Sequence, residues 1–116
     1  MRIINKTRNT VIAEQVVIAD TALSRLKGLL GRNSLASREA MVITQCRSIH
    51  MFFMRFAIDA IFVDKKNRVV GVVKRIKPFL MSPYYWRASS AIELCEGMIE
   101  FTHTQVGDEI EIQGRS

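Results

Sequence analysis

Cysteine, proline and histidine are scarce in this chain, with two of each among 116 residues. Cys46 and Cys95 lie far apart and form no Cys-x-x-Cys pair, so neither a zinc framework nor a redox motif is written in the sequence. Free cysteines of this kind behave as small hydrophobes, and reduced thiols are expected. His50 and His103 lack the i, i+4 spacing of a paired ligand site, and with Cys46 and Cys95 they give no short ligand spacing. No metal and no cofactor is expected. Long apolar runs are also missing: each is only a few residues, against the roughly 20 that cross a bilayer. Met1 to Lys6 holds no stretch suited to a signal peptide, so no membrane span is expected and cytoplasmic location is the default. No repeat, low-complexity tract or linker divides the chain, which predicts a single domain over residues 1–116.

Acidic residues are the minority charge, 11 against 17 Lys and Arg, for a net charge of +6. The basic residues are spread along the chain and concentrate only at Lys65, Lys66, Arg68 and at Lys74, Arg75, Lys77, both of which read as solvated surface. No helix-turn-helix, zinc module or aromatic RNA platform accompanies them, so a nucleic-acid partner is not expected. Gly28-Leu-Leu-Gly31 lacks the Lys-Ser/Thr ending of a phosphate loop.

Short β-rich runs dominate what is present. Arg2 to Asn5 and Val11 to Ala19 predict a strand pair around Lys6 to Thr10, and Thr21 to Leu30 carries apolar residues at helical spacing. Ala40 to Thr44, Ile49 to Met54, Ile58 to Val63, Val69 to Ile76, Ala91 to Cys95 and Glu109 to Ile112 predict further strands. Lys65 to Arg68 reads as a tight turn, and Gly97 to Thr104 as a second short helix. The predicted fold is mostly β: an antiparallel β-sandwich or partly closed barrel decorated with two short helices.

Chemistry concentrates between Cys46 and Asp64, where a thiol, an imidazole, a guanidinium and carboxylates interrupt an apolar run. In an extended segment Cys46, Ser48 and His50 share a face, and Arg55 and Asp59 straddle the following turn closely enough to pair. Glu93 and Cys95 share a face of their own strand, so the two cysteines and two acids converge if the strands adjoin. Tyr84, Tyr85 and Trp86 lie in a loop between Pro78 and Pro83 and the next strand, suited either to stacking on a ligand or to closing the core.

The order Gly28-Leu-Leu-Gly-Arg32, Ile49-His-Met-Phe-Phe-Met-Arg55, Ile58-Asp-Ala-Ile-Phe-Val-Asp64, Val69-Val-Gly-Val-Val and Ala91-Ile-Glu-Leu-Cys-Glu-Gly97 resembles the DUF192 family of bacterial and archaeal proteins. The resemblance runs from the first helix to the closing Gly107-Asp108 turn and implies a mostly β, sandwich-type domain with no established activity, cofactor or substrate. Ala57 stands where the family pattern has proline. Many relatives carry an N-terminal export or lipoprotein signal, which this chain is expected to lack.

These features predict a non-catalytic binding or accessory domain rather than an enzyme. Its candidate ligand-binding residues are Cys46, Ser48, His50, Arg55, Asp59 and Glu93, with aromatic contacts from Tyr84, Tyr85 and Trp86. The expected partner is a small polar ligand or a peptide segment. Two alternatives stay open: a small enzyme using His50 with Cys46 or Glu93, and a weak RNA-contacting protein using its basic surface. Each polar residue also has an architectural role to weigh, His50 bonding to backbone and Arg55 pairing with Asp59.

Overall fold

Val, Ile and alanine alternate with polar residues at both ends of the chain, and the computed structural model pairs those ends in one small sheet. The structure describes residues 1–20, 34–51 and 54–114. In the small sheet β1 (Arg2–Asn5) lies between β2 (Thr10–Ala13) and β8 (Ile110–Gln113), antiparallel to both. A five-stranded sheet has the order β3-β4-β7-β5-β6, built from Gln15–Ala19, Glu39–Thr44, Ser90–Cys95, Ile58–Val63 and Val69–Ile76 respectively. One short helix, α1 (Met98–Phe101), joins β7 to β8. The β-rich, two-sheet architecture is the expected one, and neither sheet closes into a barrel.

Several details depart from the expected elements. The strand predicted over Val11 to Ala19 divides at Glu14, because the amides of Glu14 and Gln15 both bond to the Arg38 carbonyl, at 2.9 and 3.0 Å. The chain thereby changes sheets, and β3 pairs parallel to β4 rather than antiparallel. The helix expected over Thr21 to Leu30 lies outside the described residues. Ile49 to Met54 does not supply a sheet strand among its described residues; its β-pairing there is an isolated bridge, His50 to Met81, flanked by backbone bonds to Phe79, Leu80 and Ser82.

Both faces of the large sheet are covered. Ile61, Val63, Ile92 and Leu94 pack against Ile3, Ile12 and Ile110 of the small sheet and against Met98 and Ile99 of α1. Met41, Ile43, Ala60, Phe62 and Ala91 face the other way, toward Ile49, Met51, Met54 and Ala88. Residues 45–51 run beside residues 79–89 over this second face, joined from Cys46 N to Ser89 O, Tyr85 N to Arg47 O, Ser82 N to Ile49 O and Met51 N to Leu80 O. All six residues of β5 are buried as a result.

Tyr85 is the wedge of that cover. Its ring stacks on Phe62 with centroids 4.6 Å apart and fills the space where Gly71 of β6 has no side chain. A Cβ at position 71 would collide with the ring, which is why a glycine interrupts an otherwise branched strand. Burial raises the Tyr85 pKa above its ordinary value.

A second constraint ties the chain's ends together. Asn5, Thr102, Thr104 and Asp108 are buried, and Asn5 Nδ2 donates to Thr104 Oγ1 at 3.1 Å and to Asp108 Oδ2 at 3.0 Å. Asp108 Oδ2 also accepts from Arg8 Nε at 3.1 Å and from the Gln105 amide at 2.9 Å. Burial pushes the Asp108 carboxyl up, but the bonds from Arg8, Asn5 and Gln105 and the Arg8 charge outweigh it and hold the pKa below its ordinary 3.8.

Two outcomes are expected. Gly71→Val should lower stability by about 1–3 kcal/mol in chemical denaturation, because Tyr85 must leave its seat. For Asp108, the depressed folded pKa means its contribution is fully present above about pH 4 and is lost as pH falls through the folded value. Asp108→Asn should therefore melt earlier than the parent near neutrality, with the gap narrowing as the pH is taken below about 4.

Candidate functional site

An open cleft of about 930 Å³ lies at the end of the large sheet where the β5–β6 turn, the exit of β4 and the entry to β7 meet. That volume is in the range of ligand pockets. Gln45, Cys46, Arg47 and Ser48 line it on one side, Asp64 to Lys66 and Arg68 on another, and Tyr84 with Trp86 to Ser89 on the third.

The local sequence accounts for each wall. Asp64 Oδ1 accepts the amides of Lys66 and Arg68 at 2.9 and 3.0 Å, and Asn67 takes the left-handed conformation at φ 59° that asparagine tolerates, so the β5–β6 turn is stiff. The loop 84–86 alternates: Tyr85 points into the core while Tyr84 and Trp86 remain exposed and meet edge-to-face at 4.7 Å. Arg47 Nε donates to the Ala88 carbonyl at 3.3 Å, which holds the first wall against the third.

The electrostatics of this cleft are one-sided. Five cations, Arg47, Lys65, Lys66, Arg68 and Arg87, line it with one carboxylate, Asp64, whose Oδ1 already caps the turn. Elsewhere Lys6, Arg8, Arg38 and Arg75 each meet a carboxylate, whereas none of the five cleft cations forms an ion pair among the described residues. Like charges left unpaired around a concavity focus a positive potential into it.

The residues singled out from sequence divide among different places. Cys46 and Ser48 line the cleft, with Cys46 Sγ donating to the Ser48 carbonyl at 3.1 Å and the Ser48 hydroxyl set between Ser82 O and Ser82 Oγ, 3.3 Å from each. His50 is half-buried and bridges Met81, beyond the cleft lining. Glu93 is fully buried in the middle of β7, registered against Met41 and Ala60, and its side chain is not without a partner. The cysteines do not converge: Cys46 is bonded to Ser89 at one end of β7 and Cys95 closes the other, a distance of roughly 20 Å along a strand. Burial, with Glu96 and Asp59 nearby, raises the Cys95 pKa and keeps that thiol protonated.

Asp59 corrects the expected ion pair with Arg55. Its carboxylate is fully buried and accepts three backbone amides: Arg75 N at 2.9 Å on Oδ1, and Gly97 N at 3.1 Å and Ile99 N at 2.9 Å on Oδ2. Two of these amides belong to the start of α1, and the third to the bulge where β6 carries an extra residue and Arg75 adopts φ 52°. Arg55 is exposed and forms no ion pair among the described residues. Lys65, Lys66 and Arg68 read from sequence as solvated charge, and Arg47 and Arg87 do not stand among the residues the sequence marks as a site. The available signal was the position of Arg47 between Cys46 and Ser48, and of Arg87 beside Trp86.

The sequence profile of the DUF192 family, described as "Uncharacterized ACR, COG1430", matches residues 3–112. A UPF0127 protein from Thermococcus sibiricus is 35% identical over 113 residues, which is 94% of this chain and 73% of that protein. A UPF0127 protein from Pyrococcus horikoshii is 33% identical over 112 residues, covering 94% and 96%. A crystal structure of a protein of unknown function from Novosphingobium aromaticivorans superposes with a TM-score of 0.82 at 21% identity, covering 97% of this chain and 84% of that one. The last similarity is one of fold.

The two members of the expected ion pair should respond differently to truncation. Asp59→Ala is expected to cost about 3 kcal/mol or more in urea denaturation, since it leaves buried amides unsatisfied. Arg55→Ala should stay within about 0.5 kcal/mol of the parent.

Proposed function

The chain belongs to the DUF192 family, and for this member we propose a non-catalytic binding function in which the cationic cleft takes a small anionic ligand bearing a flat ring, a nucleotide being the simplest example. The observation that carries it is the set of five cations, none in an ion pair among the described residues, around a cleft edged by exposed Tyr84 and Trp86. Guanidinium groups on Arg47, Arg68 and Arg87 offer forked donors that match phosphate or carboxylate oxygens, and Lys65 and Lys66 add charge without fixed geometry. An exposed aromatic pair supplies a face for stacking, a contact worth about 1–3 kcal/mol per base.

Binding rather than turnover is supported by the state of the nucleophiles. The Ser48 hydroxyl is taken up by Ser82, and Cys95 has a raised pKa. Asp59, the carboxylate nearest in sequence to His50 on β5, is committed to backbone.

Trp86 is the only tryptophan, so intrinsic fluorescence reports on the cleft directly. Adenosine monophosphate should shift or quench that emission saturably and weaken with added salt. Arg87→Ala and Arg47→Ala should each raise the dissociation constant about tenfold or more. A flat titration, or binding indifferent to both arginine variants, would sink the proposal. Tight, salt-resistant binding of a single-stranded RNA oligomer without mononucleotide binding would assign the cleft to RNA instead.

A further inference from the structure

At the end of the large sheet opposite the cleft, roughly 25 Å away along β6, the strand runs on into Lys77-Pro78-Phe79-Leu80-Met81. Three consecutive large apolar side chains stand in solvent there: Phe79 is 71% exposed, Leu80 53% and Met81 62%. They are held out by an ordered backbone. Phe79 N donates to Met51 O at 2.7 Å, Met51 N to Leu80 O at 2.8 Å and Leu80 N to Lys77 O at 3.2 Å, and Met81 bridges His50. Phe79 adopts φ 68°, a left-handed conformation that bulky side chains rarely take. Apolar residues that cannot turn inward are thus fixed on a tip by the same bonds that hold the second core closed.

Charge surrounds this tip with one sign predominating. Exposed Lys77 follows β6 directly, and Lys74 is exposed two residues before the strand ends. Ile58 is registered against Ile76, so exposed Arg55, three residues before β5, belongs to the same end of the sheet. None of these three forms an ion pair among the described residues. Among the described residues the acids of that end are Glu96, which is exposed, Asp59, which is fully buried on three backbone amides, and Glu100, which Arg75 holds through a 2.6 Å bond between Nη1 and Oε1.

We propose that this tip docks on an anionic lipid surface, with Phe79, Leu80 and Met81 entering the boundary between headgroups and acyl chains and Lys77, Lys74 and Arg55 meeting lipid phosphates. Two considerations select this occupant. Three side chains present roughly 400 Å² at most, about half of what each partner of a stable protein dimer buries, whereas partition into a bilayer edge requires no shaped counterpart. Unpaired cations beside the tip match the negative surface potential of an anionic leaflet, in which each basic residue strengthens attachment about fivefold. The attachment is reversible and salt-sensitive, since so few apolar groups enter. It leaves the cleft, at the far end of β6, facing away from the bilayer.

Sedimentation with vesicles tests this. The intact chain should co-sediment with vesicles of equal parts phosphatidylcholine and phosphatidylglycerol and not with phosphatidylcholine alone. Replacing all three apolar residues (Phe79→Ser, Leu80→Ser, Met81→Ser) should reduce binding about tenfold or more, and Lys77→Ala about fivefold, with the melting temperature and Trp86 emission unchanged. If the triple substitution alters the melt, Leu80→Asp alone carries the same expectation. Binding that survives loss of the apolar side chains would overturn the proposal in favour of charge alone. So would absence of sedimentation with either vesicle. Concentration-dependent self-association abolished by the triple substitution would assign the tip to a second copy of the chain.

Discussion

Burial of β5 on both of its faces constrains everything else in this structure. A strand covered by a second sheet on one side and by loops on the other has no wet face on which to carry chemistry. Any polar group it holds must be satisfied on the spot. Asp59 meets that demand by gathering the bulge amide of β6 and the opening amides of α1, so one carboxylate sets the end of a hairpin and the start of a helix together. What can meet solvent is displaced to the ends of the sheet: a cationic cleft at one, an apolar tip at the other.

The same constraint decides which parts of the sequence were legible. β5 and β6 were readable to the residue because branched and aromatic residues dominate both runs and the polar Lys65 to Arg68 turn separates them. The division of Val11 to Ala19 into two strands was not readable, since nothing in that composition announces that Glu14 and Gln15 share the distant Arg38 carbonyl. Ile49 to Met54 misled for a related reason. It has the apolar content of a buried strand, yet Ile49, Met51 and Met54 are buried against the face of the sheet and residues 49–51 are bonded to residues 79–82, and a loop packed over a core has the composition of a strand within one.

The candidate site shows where sequence reasoning stops. Cys46, Ser48, Tyr84 and Trp86 were named and do line the cleft, because a polar row on one face and an aromatic loop are local signals. Asp59 and Glu93 drew attention as charges in apolar strands; the first serves backbone, and the second is fully buried in the middle of β7 and is not without a partner. Among the cleft cations only Arg47, between Cys46 and Ser48, and Arg87, beside Trp86, carry a local pointer; Lys65, Lys66 and Arg68 look like ordinary surface charge. What distinguishes Arg47 and Arg87 from Lys6 or Arg38 is that neither forms an ion pair among the described residues, a property of the assembled fold alone.

The seat of Tyr85 against Gly71 links interior volume to the geometry of the surface. Because alternate residues of the loop point in opposite directions, the ring lodged over β6 fixes the outward directions of Tyr84 and Trp86. Positions 71 and 85 therefore form a notch and its peg, and among descendants of this chain a larger residue at one is tolerated only alongside a smaller one at the other. Such paired drift would re-aim the aromatic rim without touching a single residue of it, giving the lineage a route to altered selectivity that runs through the core.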